Sequence, residues 1–298
     1  MTKATTNAVF GLGSMGYGVG QSLLRAGQTV YGFDVVEAQV ARLVDEGAKR
    51  GTTAEAGPHI DAVVAVVLNA AQLEDVLFGP NGIVQHMRKG TCVVACPTVA
   101  PSVARDLAGR CAELGVHYLD APISGGAAKS AQGKLSVMAS GSIGAFEAAR
   151  PTLNAISETV FELGDQAGAG SAMKAVNQLL AGVHIATMAE AMTFGMTQGI
   201  DPARLVEVIS QCAGTSWMFE NRAPHVVNGD YTPHSAVNIW PKDLGIVLDI
   251  AREATFSTPM TAAALQQFLA AAGSGLGTED DAAVAKVYAR NANLELPS

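Results

Sequence analysis

Asn7-Ala-Val-Phe-Gly11-Leu-Gly13-Ser-Met-Gly16-Tyr-Gly18 stands near the start of a chain of 298 residues. The apolar run Ala8–Phe10 leads into a glycine turn, and a helical pattern follows with Val19, Leu23 and Leu24 on its apolar side. The next strand pattern, Thr29-Val-Tyr-Gly-Phe33, ends at Asp34. A strand, glycines at this spacing, a helix and an acidic residue about 20 positions on form the fingerprint of a dinucleotide-binding βαβ unit. Gly11 permits the tight turn, Gly13 lets a pyrophosphate approach the backbone, and Gly16 lets the helix pack closely on the strand. Leu12, Ser14 and Met15 complete the turn, whose helix N-terminus presents N–H groups and partial positive charge to phosphate. A plain βα turn would share the glycines alone.

Asp34 also bears on which nucleotide is bound. Its carboxylate can accept from the adenosine ribose hydroxyls and would repel a 2′-phosphate. Val35, Val36 and Glu37 follow, with no Arg to neutralise that phosphate. NAD is therefore expected rather than NADP. Capping of the helix that starts near Val35 is a role the same Asp could also serve.

Length and composition set the remaining bounds. A chain of this size has room for two domains, each burying its own core. Only 15% of residues are charged and 49% are hydrophobic, so a compact globular protein is expected. A net charge of −8 argues against nucleic acid or an anionic membrane as partner. Cys92, Cys96, Cys111 and Cys212 form no CxxC pair, and no His cluster has metal-ligand spacing, so no metal is expected. Buried free thiols in a reducing cytoplasm account for the cysteines. The start of the chain carries no apolar signal segment. The longest strongly apolar run, Ala62–Leu68, is far short of the roughly 20 residues of a membrane helix. A cytoplasmic protein is expected.

Up to residue 165, strand and helix patterns alternate. Strands are predicted at Ala8–Phe10, Thr29–Phe33, Ala62–Leu68, Cys92–Ala95, Val116–Asp120, Leu135–Ala139 and Thr159–Leu163. Helices are predicted between most of them, at Met15–Ala26, Val36–Glu46, Ala71–Phe78, Pro101–Leu114 and Ile143–Ile156. Strands without alternation, separated by helices, predict a mainly parallel sheet covered on both faces. The fold class is α/β: a Rossmann dinucleotide-binding domain over 1–165, then an all-α domain over 166–298. Ser171 to Gln198 has no proline, and Gly199 closes it, which predicts one long helix of roughly 42 Å bridging the domains or forming the spine of the second. Further helices are predicted at Pro202–Cys212, Trp217–Val227, Lys242–Ala254, Pro259–Ala272 and Asp280–Ala289.

Three later clusters carry chemistry. Asp120-Ala-Pro-Ile-Ser-Gly-Gly-Ala-Ala-Lys-Ser-Ala-Gln-Gly133 follows a strand, and Ser124, Gly125 and Gly126 offer a hydroxyl and open N–H groups suited to a carboxylate. An ordinary glycine loop is the alternative. Gly168-Ala-Gly-Ser-Ala-Met-Lys174-Ala-Val-Asn177-Gln178 opens the long helix, with Lys174, Asn177 and Gln178 on one face. Apolar neighbours and the positive helix end favour a neutral amine there, the form a general base requires; a snorkelling surface lysine is the alternative. Trp240-Pro-Lys242-Asp243-Leu244 opens a later helix, where Lys242 either reaches an anion or is solvated.

Taken in order, Gly11–Gly18, Asp120–Gly133, Gly168–Asn177 and Lys242-Asp243-Leu244 resemble the four motifs of the β-hydroxyacid dehydrogenase family. The resemblance spans nearly the whole chain. It implies that Lys174 is the catalytic lysine, with Asn177 orienting substrate. It implies that Ser124, Gly125 and Gly126 hold a substrate carboxylate. It places Leu68 and Asn69 along the nucleotide, Thr98 near the nicotinamide, and Lys242 on the cofactor. Family members often carry Ser before that Thr, whereas this chain reads Cys96-Pro97-Thr98. Gln178 stands where some branches show a second Asn, and it suits a polyhydroxylated acid such as L-threonate better than a methyl-bearing one. 3-Hydroxyisobutyrate or tartronate semialdehyde is the alternative substrate. The expected activity is hydride transfer from a small hydroxy acid to NAD, in a homodimer or homotetramer. A redox-inactive NAD-binding regulator would not need Lys174 and Asn177 in register with a carboxylate loop. An imine reductase of the same fold would commonly replace the lysine. His184, ten residues past Lys174, has no assigned role.

Overall fold

The run Ala62-Val-Val-Ala65 is buried at all four positions, as a strand covered on both faces must be. In the computed structural model, which describes residues 4–298, it forms one of five parallel strands. These are β1 (Thr6–Phe10), β2 (Thr29–Phe33), β3 (Ala62–Ala65), β4 (Cys92–Ala95) and β5 (His117–Asp120), in the order β2-β1-β3-β4-β5. Register is direct, with Ala8 beside Tyr31 on one side and Val63 on the other. Strand β3 ends at Ala65, three residues before the predicted end, because the chain turns out at Val66–Leu68 toward the next helix.

A second sheet of three strands follows: β6 (Ile123–Ser124), β7 (Leu135–Ala139) and β8 (Ser157–Glu162). Strands β6 and β7 pair antiparallel, β7 and β8 parallel, so the last two predicted strands do not extend the first sheet. A single bridge, Asp120 to Ser140, links the two sheets.

Helices connect these strands: α1 (Ser14–Arg25), α2 (Glu37–Asp45), α3 (Thr53–Ala56), α4 (Ala70–Phe78), α5 (Pro101–Glu113), α6 (Gly126–Gln132) and α7 (Ile143–Ile156). Local chemistry sets several starts. Thr52 and Glu55 form a capping box on α3, Asn69 caps α4 through Gln72 N–H, and Ser142 caps α7. Val9, Leu12, Val19, Leu23, Val64, Val94 and Leu119 belong to one buried cluster of the sheet. Ala8, Val63, Leu73, Val93 and Leu107 belong to another. Cys92, Cys96 and Cys111 are buried free thiols, but Cys212 is exposed, contrary to the expectation for it.

Helix α8 runs from Ala169–Thr197, 29 residues without a break. Helices α9 (Pro202–Ile209), α10 (Trp217–Asn228), α11 (Ile239–Glu253), α12 (Pro259–Ala271) and α13 (Val284–Asn291) follow. Their core holds Ile185, Met188, Met192, Phe219, Trp240, Leu244 and Phe268, with the Trp240 and Phe268 rings stacked at 5.4 Å. The chain divides into two compact units, one ending at Lys174 and the other spanning Ala175–Ser298. Among the described residues, α8 rather than Ala62–Leu68 is the one helix long and apolar enough, by length and composition, to cross a membrane. Half of its most apolar 18-residue window is nevertheless buried inside the protein, as in the core helix of a helical unit.

Candidate active site

The sheet order reverses between β1 and β3, and in such sheets ligands bind outside the carboxyl ends of the strands at that point. Gly11 leaves β1 there with φ +85°, a left-handed conformation that glycine adopts without strain. A Cβ on Gly11 would stand 2.4 Å from the Val66 carbonyl oxygen, and one on Gly16 would stand 1.7 Å from the Gly11 carbonyl oxygen. Turn and helix are thus packed as closely as bare backbone allows. Gly13 is different. A Cβ there would meet no atom within 4 Å, so open space lies over the N-terminus of α1, where a pyrophosphate would sit. Gly13 is also the N-cap of α1 and brings no side chain to its first-turn N–H groups.

Asp34 follows β2, and its carboxylate accepts from Leu12 N–H at 2.6 Å and Val36 N–H at 2.8 Å. It therefore ties the end of β2 to the glycine turn. Asn69 caps α4 with its side chain, and Leu68 beside it is exposed, its N–H donating to Gln72 Oε1 at 2.9 Å. Thr98 is buried in the segment between β4 and α5. Burial pushes the neighbouring Cys96 thiol up to about 12, with the nearby Asp120 adding to the shift, which makes it inert at neutral pH. Gly11–Gly16, Asp34, Leu68, Asn69 and Thr98 all follow carboxyl ends of β1 to β4. The open space at Gly13 and the carboxylate of Asp34 fit a dinucleotide.

Ser124 ends β6, Gly125 (φ +136°) is the N-cap of α6, and Gly126 opens that helix rather than a loop. Helix α6 is fastened to α1. Ser130 Oγ donates to the Met15 carbonyl at 2.5 Å, and Ser22 Oγ donates to the Ser130 carbonyl at 2.8 Å. The Ser124–Gly126 corner and the dinucleotide turn are thereby fixed to the same helix pair.

Lys174 is 8% exposed, and its Nζ donates to the Ile123 carbonyl at 3.0 Å, one residue before Ser124. Sequence reasoning assigned no role to the residue that places it. Asp120, buried at the end of β5, accepts from Gly168 N–H at 2.9 Å, Ser171 N–H at 2.8 Å and Ser171 Oγ at 2.7 Å. Burial raises its pKa, and these donors counter that rise. A carboxylate gripping the first turn of α8 sets the course of Lys174 one turn later. The available signal was an Asp closing a strand and a Ser opening the long helix.

In the helical unit, Asn177 Nδ2 donates to Gln178 Oε1 at 2.9 Å, and Gln178 Nε2 donates to Asp243 Oδ2 at 2.5 Å. Lys242 Nζ lies 2.5 Å from Asp243 Oδ1 as an ion pair, outside hydrogen-bonding angles, which leaves that oxygen without a hydrogen bond. Lys242 is the fourth residue of α11, which begins at Ile239. The structure thus joins Lys174 to the Ser124 corner, and Asn177 and Gln178 to Lys242 through Asp243. His184 is half-buried among none of these contacts.

Strand order, glycine turn and Asp34 define a dinucleotide-binding protein of the doubly wound class. Residues 6–164 match the family described as the NAD binding domain of 6-phosphogluconate dehydrogenase. Residues 168–288 match the one described as NAD-binding of NADP-dependent 3-hydroxyisobutyrate dehydrogenase. The chain is 50% identical to an L-threonate dehydrogenase of Cupriavidus necator, covering 97% of both chains. It is 45% identical to an L-threonate dehydrogenase of Escherichia coli, covering 94% of this chain and 93% of that one. A crystal structure of 3-hydroxyisobutyrate dehydrogenase from Salmonella typhimurium superposes with a TM-score of 0.90 at 44% identity, covering 95% and 99% of the two chains. The chain belongs to the β-hydroxyacid dehydrogenase family of NAD-dependent oxidoreductases, the 3-hydroxyisobutyrate dehydrogenase-like enzymes.

Proposed function

We propose that the protein oxidises L-threonate to 2-dehydro-L-erythronate. The observation that carries this reading is the Lys174 amine, buried and 3.0 Å from the Ile123 carbonyl, beside Ser124. Similarity to the L-threonate dehydrogenase of Cupriavidus necator supports the choice of substrate. NAD, when bound, supplies the hydride acceptor. Ser124 Oγ and the N–H groups of Gly125 and Gly126 receive the substrate carboxylate. Lys174 accepts the proton of the C2 hydroxyl as the C2 hydrogen leaves with its electron pair, and the C–O single bond becomes a carbonyl. Asn177 orients the substrate, and Gln178 offers its amide to the further hydroxyls of a four-carbon acid.

Asp34 is assigned to the adenosine ribose. The absence of an Arg directly after Asp34, where Val35, Val36 and Glu37 stand, supports NAD over NADP. Gly11 to Gly16 with Leu12, Ser14 and Met15, then Leu68, Asn69, Thr98 and Lys242, complete the cofactor site. Residues 1–165 form the NAD-binding domain and also bring Ser124–Gly126 to the substrate; 166–298 form the all-α domain, which serves substrate and subunit association and adds Lys242 to the cofactor site. Exposed Met173, Val176 and Leu180 at helical spacing on α8 support a homodimer or homotetramer. The buried free thiols suit a cytoplasmic location.

A panel of three- and four-carbon acids with NAD tests the substrate. The expected order in kcat/KM places L-threonate above 3-hydroxyisobutyrate and D-glycerate. A higher value for 3-hydroxyisobutyrate would overturn the L-threonate assignment and leave the family standing.

A further inference from the structure

The helical unit gathers two imidazoles and a carboxylate that have no part in the proposed reaction. His225 lies in the last turn of α10, His234 in the segment after it, and Asp280 caps the short turn Asp281–Ala283. One ligand atom from each lies within 4.8 Å of the others, the one such group of three among the described residues. His225 Nδ1 is 3.8 Å from Asp280 Oδ1, and the two imidazole rings meet edge-on with centroids 4.8 Å apart. His spacing in the sequence concealed this group, because its third member comes 46 residues after His234.

The backbone holds the three together independently of their side chains. Asp280 N–H donates to the Tyr231 carbonyl at 2.9 Å, and Asp281 N–H donates to the Ser235 carbonyl at 2.8 Å. Val237 N–H donates to the Glu279 carbonyl at 3.0 Å. The Asp280 carboxylate is aimed by His234 N–H at 2.8 Å and Ala282 N–H at 3.1 Å. A site so ordered in advance needs little rearrangement to bind an ion.

Charge points the same way. Asp280 and Asp281 are fully buried side by side, and the one guanidinium among them is Arg222. Its Nε is 2.5 Å from Asp281 Oδ1 and 3.7 Å from Asp280 Oδ1. The two carboxylates share one buried guanidinium, and a divalent cation on the side where the imidazoles stand would offset the repulsion between them. Two neutral imidazole nitrogens and a carboxylate oxygen are ligands for borderline first-row divalent ions, zinc above all, and not for calcium or magnesium, which take oxygen. His234 is exposed and able to swing, so the ligand atoms can close to metal bonds of about 2.0 to 2.2 Å.

We propose that His225, His234 and Asp280, with water in the fourth position, hold a zinc ion that fastens the end of α10 and the following segment to the turn before α13. The inference stands apart from the substrate reading, and its test uses no activity. Tag-free full-length protein is stripped with EDTA, returned to metal-free buffer at neutral pH and titrated calorimetrically with zinc chloride. One zinc per chain is expected, with a rise in Tm. His234→Ala removes only an exposed ring and should weaken zinc binding at least about tenfold, or about 1.4 kcal/mol, without changing the metal-free Tm. His225→Gln should weaken it similarly, whereas Cys212→Ser, at the exposed thiol, should not. Absence of stoichiometric binding, or zinc affinity unchanged in both histidine variants, would overturn the proposal. Binding lost in Cys212→Ser would do so too.

Discussion

At the scale of single residues, the cofactor site depends on what one carboxylate can accept. Asp34 already takes N–H bonds from Leu12 and Val36, so its oxygens are oriented before any ribose arrives. In the proposed assignment those oxygens favour ribose hydroxyls and repel a 2′-phosphate. NAD should exceed NADP by at least about tenfold in kcat/KM, roughly 1.4 kcal/mol. Asp34→Ala should narrow that gap by admitting the phosphate, and steady-state kinetics with both nucleotides read it directly. An unchanged ratio would take Asp34 out of the discrimination. Its tie to the glycine turn was legible because Leu12, its partner there, lies 22 residues away within a motif of fixed spacing. Asp243 was not, because its meaning comes from Gln178, 65 residues away.

At the scale of elements, α1, α4, α5 and α7 were legible to within one residue at each end from the helical patterns between strands, and the structure shows Asn69 and Ser142 capping two of them. Helix α6 escaped because its seven residues begin with glycine and have no side-chain cap. The second sheet escaped because β8 is largely exposed and β7 shifts register at Leu135–Ser136, so pairing partners were set by packing rather than pattern. The start of α8 has a different control, the Asp120 carboxylate. Asp120→Asn replaces an acceptor-only group with an amide, leaving N–H donors of Gly168 or Ser171 unmatched. The cost should be about 1 to 3 kcal/mol, visible as a lower denaturation midpoint. Its pH dependence has a definite sign. Burial raises the Asp120 pKa in the folded chain, so the folded state takes up this proton before the unfolded state does. The stability that Asp120 contributes therefore rises as pH falls through its folded value toward the usual carboxylate range. The gap between the unmodified chain and Asp120→Asn should widen on acidification. A narrowing gap would mean that the hydrogen bonds outweigh burial.

At the scale of the whole molecule, α8 joins the two units in one unbroken helix, and Lys174 is the last residue of the first unit. The long helix was legible from its lack of proline and its closing glycine. Its proposed role as carrier of a base near Ser124 depends on the Ile123 carbonyl and on Asp120, both about fifty residues earlier. Lys174 is proposed to accept the substrate proton, and the kinetics of single variants probe that step. General acid–base groups contribute about 10² to 10⁴ in rate, so Lys174→Ala should lower kcat for L-threonate oxidation by that order. NAD affinity should stay nearly unchanged. Lys174→Arg should fail almost as badly, because a guanidinium keeps its proton. In the unmodified enzyme kcat should rise with pH, since only the neutral amine can accept. A Lys174→Ala enzyme that keeps more than half its turnover would contradict the account.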